Sequence, residues 1–197
     1  MSQRYEDETT QQIIPGYEPG SGDAERDEAL AEISKMFGGL VPNFHKVLAT
    51  SKAVVIAFEA MRRSLQKTKL RAIEREIVSV EVSRRTKCHY CMSAHSNFAR
   101  LMKMSPNDIR AMRDGRPMSD PRHALVQRAA KRLWDTQGRL SADEIKDFNT
   151  AGLSDGELIE IIAVIGWYVT STLTNNLART AIDPEFMYED DDGAAAA

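Results

Sequence analysis

An excess of positive charge is the first thing this chain lacks: 26 Lys and Arg stand against 29 Asp and Glu, a formal charge of −3. With no basic block to displace counterions from a phosphate backbone, nucleic acid is not an expected partner. Cysteine is scarce as well. Two in 197 residues cannot build a disulfide scaffold, and a cytoplasmic chain would hold both reduced unless they do chemistry. The opening stretch MSQRYEDETT has no apolar core of the signal-peptide kind, so a cytoplasmic location is expected. Long apolar runs are missing: the run between Glu160 and Thr170 has nine residues, where a membrane span takes about 20, so no membrane partner is expected. Sustained strand alternation and hairpin dipeptides between apolar runs are missing too. What remains is an all-α chain.

At 197 residues and 42% hydrophobic composition the chain has the material for one domain whose core needs no staple. Residues 1–22 are polar and rich in Gly, Pro and Glu, and read as a flexible arm that could dock on a neighbour. Residues 189–197 end in an acidic run and four alanines, and read as a tail. The helical domain is expected over 23–188. A stripe of Leu30, Ile33, Met36 and Phe37 stops at Gly38-Gly39. Ile73, Ile77 and Val80 share a face and predict a helix over 70–82, with Glu81 turned to solvent beside Arg84 and Arg85. Ser105-Pro106 marks a capped start, and Ser141 with Glu144 and Ser154 with Glu157 match capping boxes. The helix over 158–169 is apolar on nearly every face, which suits the centre of a core or a surface shared with a second subunit.

One segment carries chemistry: Lys87-Cys88-His89-Tyr90-Cys91-Met92-Ser93-Ala94-His95. A CxxC pair at a helix start lies under the positive end of the helix dipole, which lowers a thiol pKa from its usual value of about 8.5. Residues three apart share a side of the helix, within reach of a disulfide after the turn tightens. His95 follows Cys91 by four and stacks over that thiol, so a nucleophile, a resolving thiol and a base share one face. A structural zinc site would need further ligands at matching spacing, which His45, His89 and His123 do not provide. Haem attachment needs histidine where Met92 stands, and a thioredoxin-type site needs a βαβ context. Neither a metal nor a cofactor is expected. Glu76 lies near the apolar side of its own helix, where a carboxylate is costly unless paired.

The run from Arg75-Glu76-Ile77-Val78 through Cys88-His89-Tyr90-Cys91 to His95-Ser96 resembles the alkylhydroperoxidase (AhpD-like) branch of the carboxymuconolactone decarboxylase family, in its peroxidase-related group. The likeness centres on residues 74–100, with weaker similarity at Gly39-Leu40-Val41-Pro42-Asn43 and through the C-terminal half. It implies an all-α, AhpD-like helical bundle that assembles as a homo-oligomer, a trimer or hexamer. It also implies a thiol-dependent peroxidase acting on hydrogen peroxide or alkyl hydroperoxides. By position, Cys91 would be the attacking thiol, Cys88 the proton donor and resolving thiol that closes a Cys88–Cys91 disulfide, and Glu76 with His95 the proton relay. An external dithiol, a thioredoxin-like or lipoyl protein, would be the reductant. The position before the second cysteine, often histidine in alkylhydroperoxidases, is Tyr90 here, and Tyr90 joins the catalytic candidates. Two other functions fit the same residues less well: a lactone-acid decarboxylase, which has no need of a CxxC pair, and a non-enzymatic redox-sensing oligomer.

Overall fold

Capping residues and 3.6-residue periodicity dictate helix along most of this chain. The computed structural model describes residues 11–189, and over that span it contains nine α-helices, one 3₁₀ turn and no strand. The helices are α1 (Ala24–Met36), α2 (Asn43–Leu48), α3 (Lys52–Leu65), α4 (Ala72–Thr86), α5 (His89–Leu101), α6 (Pro106–Asp114), α7 (Pro121–Asp135), α8 (Ala142–Thr150) and α9 (Asp155–Ala178), followed by the 3₁₀ turn Pro184–Phe186. Ser105 caps α6 ahead of Pro106, and Asp120 caps α7 ahead of Pro121. Complete capping boxes open α8 at Ser141 and α9 at Ser154. Each such cap contributes about 1 kcal/mol.

Helix α4 is the hub. It packs against α9, α5, α7 and α6, and Ile77, Val78 and Val80 on it are fully buried. Burial of side chains of this size stabilises by roughly 1.5–3 kcal/mol each. A helix covered on so many sides cannot turn its carboxylates to water. Glu81, expected at the surface, is therefore buried, and it is held by Arg84 at 2.6 Å and Arg85 at 2.7 Å. These two arginines fold back along the helix instead of ending it, so α4 continues to Thr86, beyond the expected end at 82. Glu74, also buried, is held by Arg71 at 2.9 Å and Arg122 at 2.7 Å. Each carboxylate keeps a second guanidinium when one is removed, so losing one arginine costs about 1–3 kcal/mol.

Helix α9, at 24 residues, has the length and composition to cross a membrane. Here it lies against α4, α2, α3, α7 and α5, with Leu158, Ile161, Val164 and Tyr168 turned inward. Its other side leaves Ile159, Ile162, Leu173 and Leu177 exposed.

Two segments without long helices lie along the bundle. In the expected arm, Ile13 N donates to Ala178 O at 2.9 Å and Tyr17 N to Lys46 O at 2.8 Å. Gly16 has φ +70°, and a Cβ there would come within 2.9 Å of the Lys46 backbone, so glycine is required. After α9, Asp183 accepts from Asn43 N and from the Tyr90 hydroxyl, Phe186 O accepts from Ser93 Oγ, and Glu185 O accepts from Asn97 Nδ2. Three residues of α5 thus tie down the segment that closes the site. Residues 1–10 of the expected arm and 190–197 of the expected tail lie outside the described residues.

Candidate active site

The junction of α4 and α5 sets the position of both cysteines. Lys87 takes a left-handed conformation with φ 54°, Cys88 N donates to Ser83 O at 3.0 Å, and Cys88 is the N-cap of α5. Two residues therefore reverse the chain. The first turn of α5 presses against α4, with Cys91 in that turn and both thiols buried. The thiols are free and lie 3.7 Å apart. A bond of about 2.05 Å between them needs a small closing motion of the turn.

Cys91 sits among donors. Ser171 Oγ lies 3.3 Å from its sulfur, and Asn175 Nδ2 donates to the sulfur at 3.3 Å. Burial opposes a charge at Cys91, yet hydrogen bonds from Cys88, His95 and Ser171 and the charge of His95 bring its thiol well below the ordinary value. Cys88 moves the opposite way, raised by its hydrogen bond to Cys91 and by burial. Of the two thiols, Cys91 is the one whose surroundings favour the charged form.

His95 completes the set. Its Nδ1 meets Glu76 Oε2 at 2.6 Å, which leaves the opposite edge of the ring for Cys91 one turn earlier. The ring is wedged edge-on between Tyr168, at 4.8 Å, and Phe98, at 5.5 Å. Burial disfavours its charge, but the Glu76 carboxylate and the bonds to Cys91 and Glu76 push its pKa up to about 9. The arrangement favours charge separation between the Cys91 sulfur and the His95 ring, with Glu76 on the far side of the ring. The structure brings Cys88, Cys91, His95 and Glu76 together from two helices.

Tyr90 is placed differently from the relay position considered for it. Its hydroxyl donates to Asp183 Oδ2 at 2.6 Å, and burial together with the Asp183 charge pushes the phenol far above its usual value. A phenol held this way keeps its proton and fixes the 183–188 segment.

The sequence reading missed several groups at this site. Ser171 and Asn175 come from α9, 80 and 84 residues beyond Cys91. His45 and Arg62 line the same cavity of about 160 Å³ as the thiol. His45 lies 3.6 Å from Glu59, and Arg62 Nε donates to Glu59 at 2.6 Å. Glu59 is buried, and although burial opposes its charge, bonds to His45 and Arg62 keep its carboxyl below the ordinary range. Most of its lining is aromatic, chiefly Phe37, Phe44, Phe58, Phe98, Trp167 and Phe186. Among the described residues no three His, Cys, Asp or Glu side chains converge on a common metal position.

This geometry can be set beside known proteins. The sequence profile of the Carboxymuconolactone decarboxylase family matches residues 52–136, the stretch holding Glu76, both cysteines and His95. The fold is the AhpD core. A peroxidase-related protein from Ralstonia eutropha JMP134, solved as an alkylhydroperoxidase AhpD core, superposes with a TM-score of 0.77 at 22% identity, over 89% of this chain and 94% of its own. A peroxidase-related protein from Silicibacter sp. TM1040 superposes at 0.72 with 23% identity, over 90% and 96%. The debrominase Bmp8, solved as a cysteine-to-alanine variant in complex with 2,3,4-tribromopyrrole, superposes at 0.68 with 13% identity, over 89% and 94%. No curated protein matches the sequence.

Proposed function

We propose that this protein is a thiol-dependent peroxidase. The observation that carries the reading is Cys91, a buried thiol ringed by Cys88, His95, Ser171 and Asn175 and open to a cavity. The Cys91 thiolate attacks the terminal oxygen of a hydroperoxide. The O–O bond breaks, Cys91 becomes a sulfenic acid, and the leaving alkoxide or hydroxide takes a proton from His95. Cys88 then attacks the sulfenic sulfur, water leaves, and a Cys88–Cys91 disulfide forms. An external dithiol, thioredoxin-like or lipoyl-bearing, reduces that disulfide by exchange. Glu76 holds His95 charged until the proton is delivered. The cycle belongs in a reducing compartment such as the cytoplasm.

The reading includes self-association. Ile159, Ile162, Leu173 and Leu177 leave an apolar stripe along the outside of α9, and a second copy of the chain is the expected cover, in a trimer or hexamer. Peroxide consumption with dithiothreitol or dihydrolipoamide, compared between wild type and Cys91→Ser, tests the activity. Turnover lost in the variant supports the peroxidase. A wild type inactive with every donor favours the redox-sensing oligomer.

A further inference from the structure

The cavity beside Cys91 has a size and a lining that the peroxidase reading leaves unexplained. At about 160 Å³ it matches an apolar protein cavity of about 150 Å³ that binds benzene. Phe58 and Trp167 stack at 4.7 Å, and Phe44 meets Phe58 edge-on at 5.3 Å. Phe186 meets Phe98 edge-on at 5.1 Å. Rings held in edge-to-face and offset arrangements offer both faces and edges to a further ring between them. Arg62, the one lysine or arginine in the lining, is already matched by Glu59 at 2.6 Å, so it offers no uncompensated charge to an anionic ligand.

We infer that the cavity selects a neutral, single-ring or comparably compact branched ligand, and that the preferred substrate is a hydroperoxide built on such a group. This rests on the peroxidase reading for its chemistry and on the cavity for its choice of substrate. The substrate RO–OH seats R among the rings and its terminal oxygen at Cys91. The sulfur takes that oxygen, and RO⁻ leaves as ROH with the His95 proton. The electrons come from the external dithiol after disulfide closure. The cavity is partly open, so most of a long-chain fatty acid hydroperoxide would lie outside it, unmatched by the rings, and its carboxylate finds no free cation in the lining. Hydrogen peroxide reaches the sulfur but leaves the rings without a partner.

The test separates binding from turnover. In Cys91→Ser protein, 2-phenyl-2-propanol, the alcohol left by cumene hydroperoxide, is titrated by calorimetry and, with Trp134→Phe added, by the fluorescence of Trp167. Saturable binding with a Kd on the order of 1 mM is expected. Ala94→Leu, which fills the cavity from α5, should weaken binding about tenfold, with circular dichroism and melting temperature confirming that the variant is folded. In wild type, kcat/KM should be at least about tenfold higher for cumene hydroperoxide than for hydrogen peroxide or a hydroperoxide of an eighteen-carbon fatty acid. Absence of ring binding, or an equal preference for the fatty acid compound, overturns the inference. Turnover of hydrogen peroxide without ring binding leaves the peroxidase reading standing and removes this one. Ring binding without turnover of any peroxide overturns the peroxidase reading and the hydroperoxide substrate with it, leaving only the cavity's choice of ring.

Discussion

Glu76 on α4 and His95 on α5 meet at 2.6 Å, so the charge state of the site depends on a contact between two helices. In Glu76→Gln the side-chain shape is kept and the charge is lost. We expect kcat/KM for peroxide to fall about 10²–10⁴-fold at pH 7. The gap should narrow as pH rises towards about 8.5, where a thiolate forms without help. The pair also affects stability. His95 titrates at about 9 in the fold against 6.5 when free, so its contribution is complete below pH 6.5 and is lost as pH climbs through 9. Melting curves of wild type and Glu76→Gln should therefore converge at high pH.

Ser171 and Asn175 both address the sulfur of Cys91 at 3.3 Å. Ser171→Ala and Asn175→Ala should each raise the Cys91 pKa by about one unit, because each removes a bond that favours the charged sulfur. Thiolate absorbance at 240 nm against pH, read in a Cys88→Ser background, measures this. An unchanged titration would leave both residues as packing only.

Tyr90 and Asp183 form a buried hydrogen bond that engages the phenol proton on the 183–188 side. Tyr90→Phe should lower stability by about 1–3 kcal/mol, since Asp183 loses a donor while remaining buried. Its effect on kcat/KM should stay under about tenfold. Denaturant midpoints and turnover, measured on the same preparation, separate the two effects. A loss of activity as large as that of Glu76→Gln would return Tyr90 to the relay.

The apolar side of α9 predicts the oligomeric state. Light scattering at micromolar concentration should give a multiple of 22.0 kDa, and Leu173→Glu with Leu177→Glu should dissociate it by placing charges in a dry interface. A wild-type mass near that of one chain would contradict the assembly.

The helical class was legible because its signals are local. The serine caps at 105, 141 and 154 and the apolar stripe from Leu30 to Met36 act within one or two turns. The Cys88, Cys91 and His95 face was legible for the same reason, since all three lie on one helix. Glu76 needed the resemblance, because its pairing with His95 depends on how two helices dock. Ser171 and Asn175 lie beyond the apolar helix read over 158–169, in the stretch by which α9 runs on to Ala178. Their four-residue spacing, with Thr172 between them, was the only local sign of a polar patch facing inward. His45, Glu59 and Arg62 gave no combined sign at all, since α2 and α3 bring them together only in three dimensions. Glu81 was misplaced because periodicity cannot reveal that a helix is covered on several sides.

The central claim is that Cys91, and not Cys88, is the sulfur that attacks. Mass spectrometry after peroxide and dimedone tests this most directly, on Cys88→Ser and Cys91→Ser side by side. The account predicts one dimedone adduct per chain on Cys91 in Cys88→Ser, no adduct in Cys91→Ser, and no turnover in either. A stoichiometric adduct on Cys88 in Cys91→Ser, formed as fast as the wild type consumes peroxide, would contradict it.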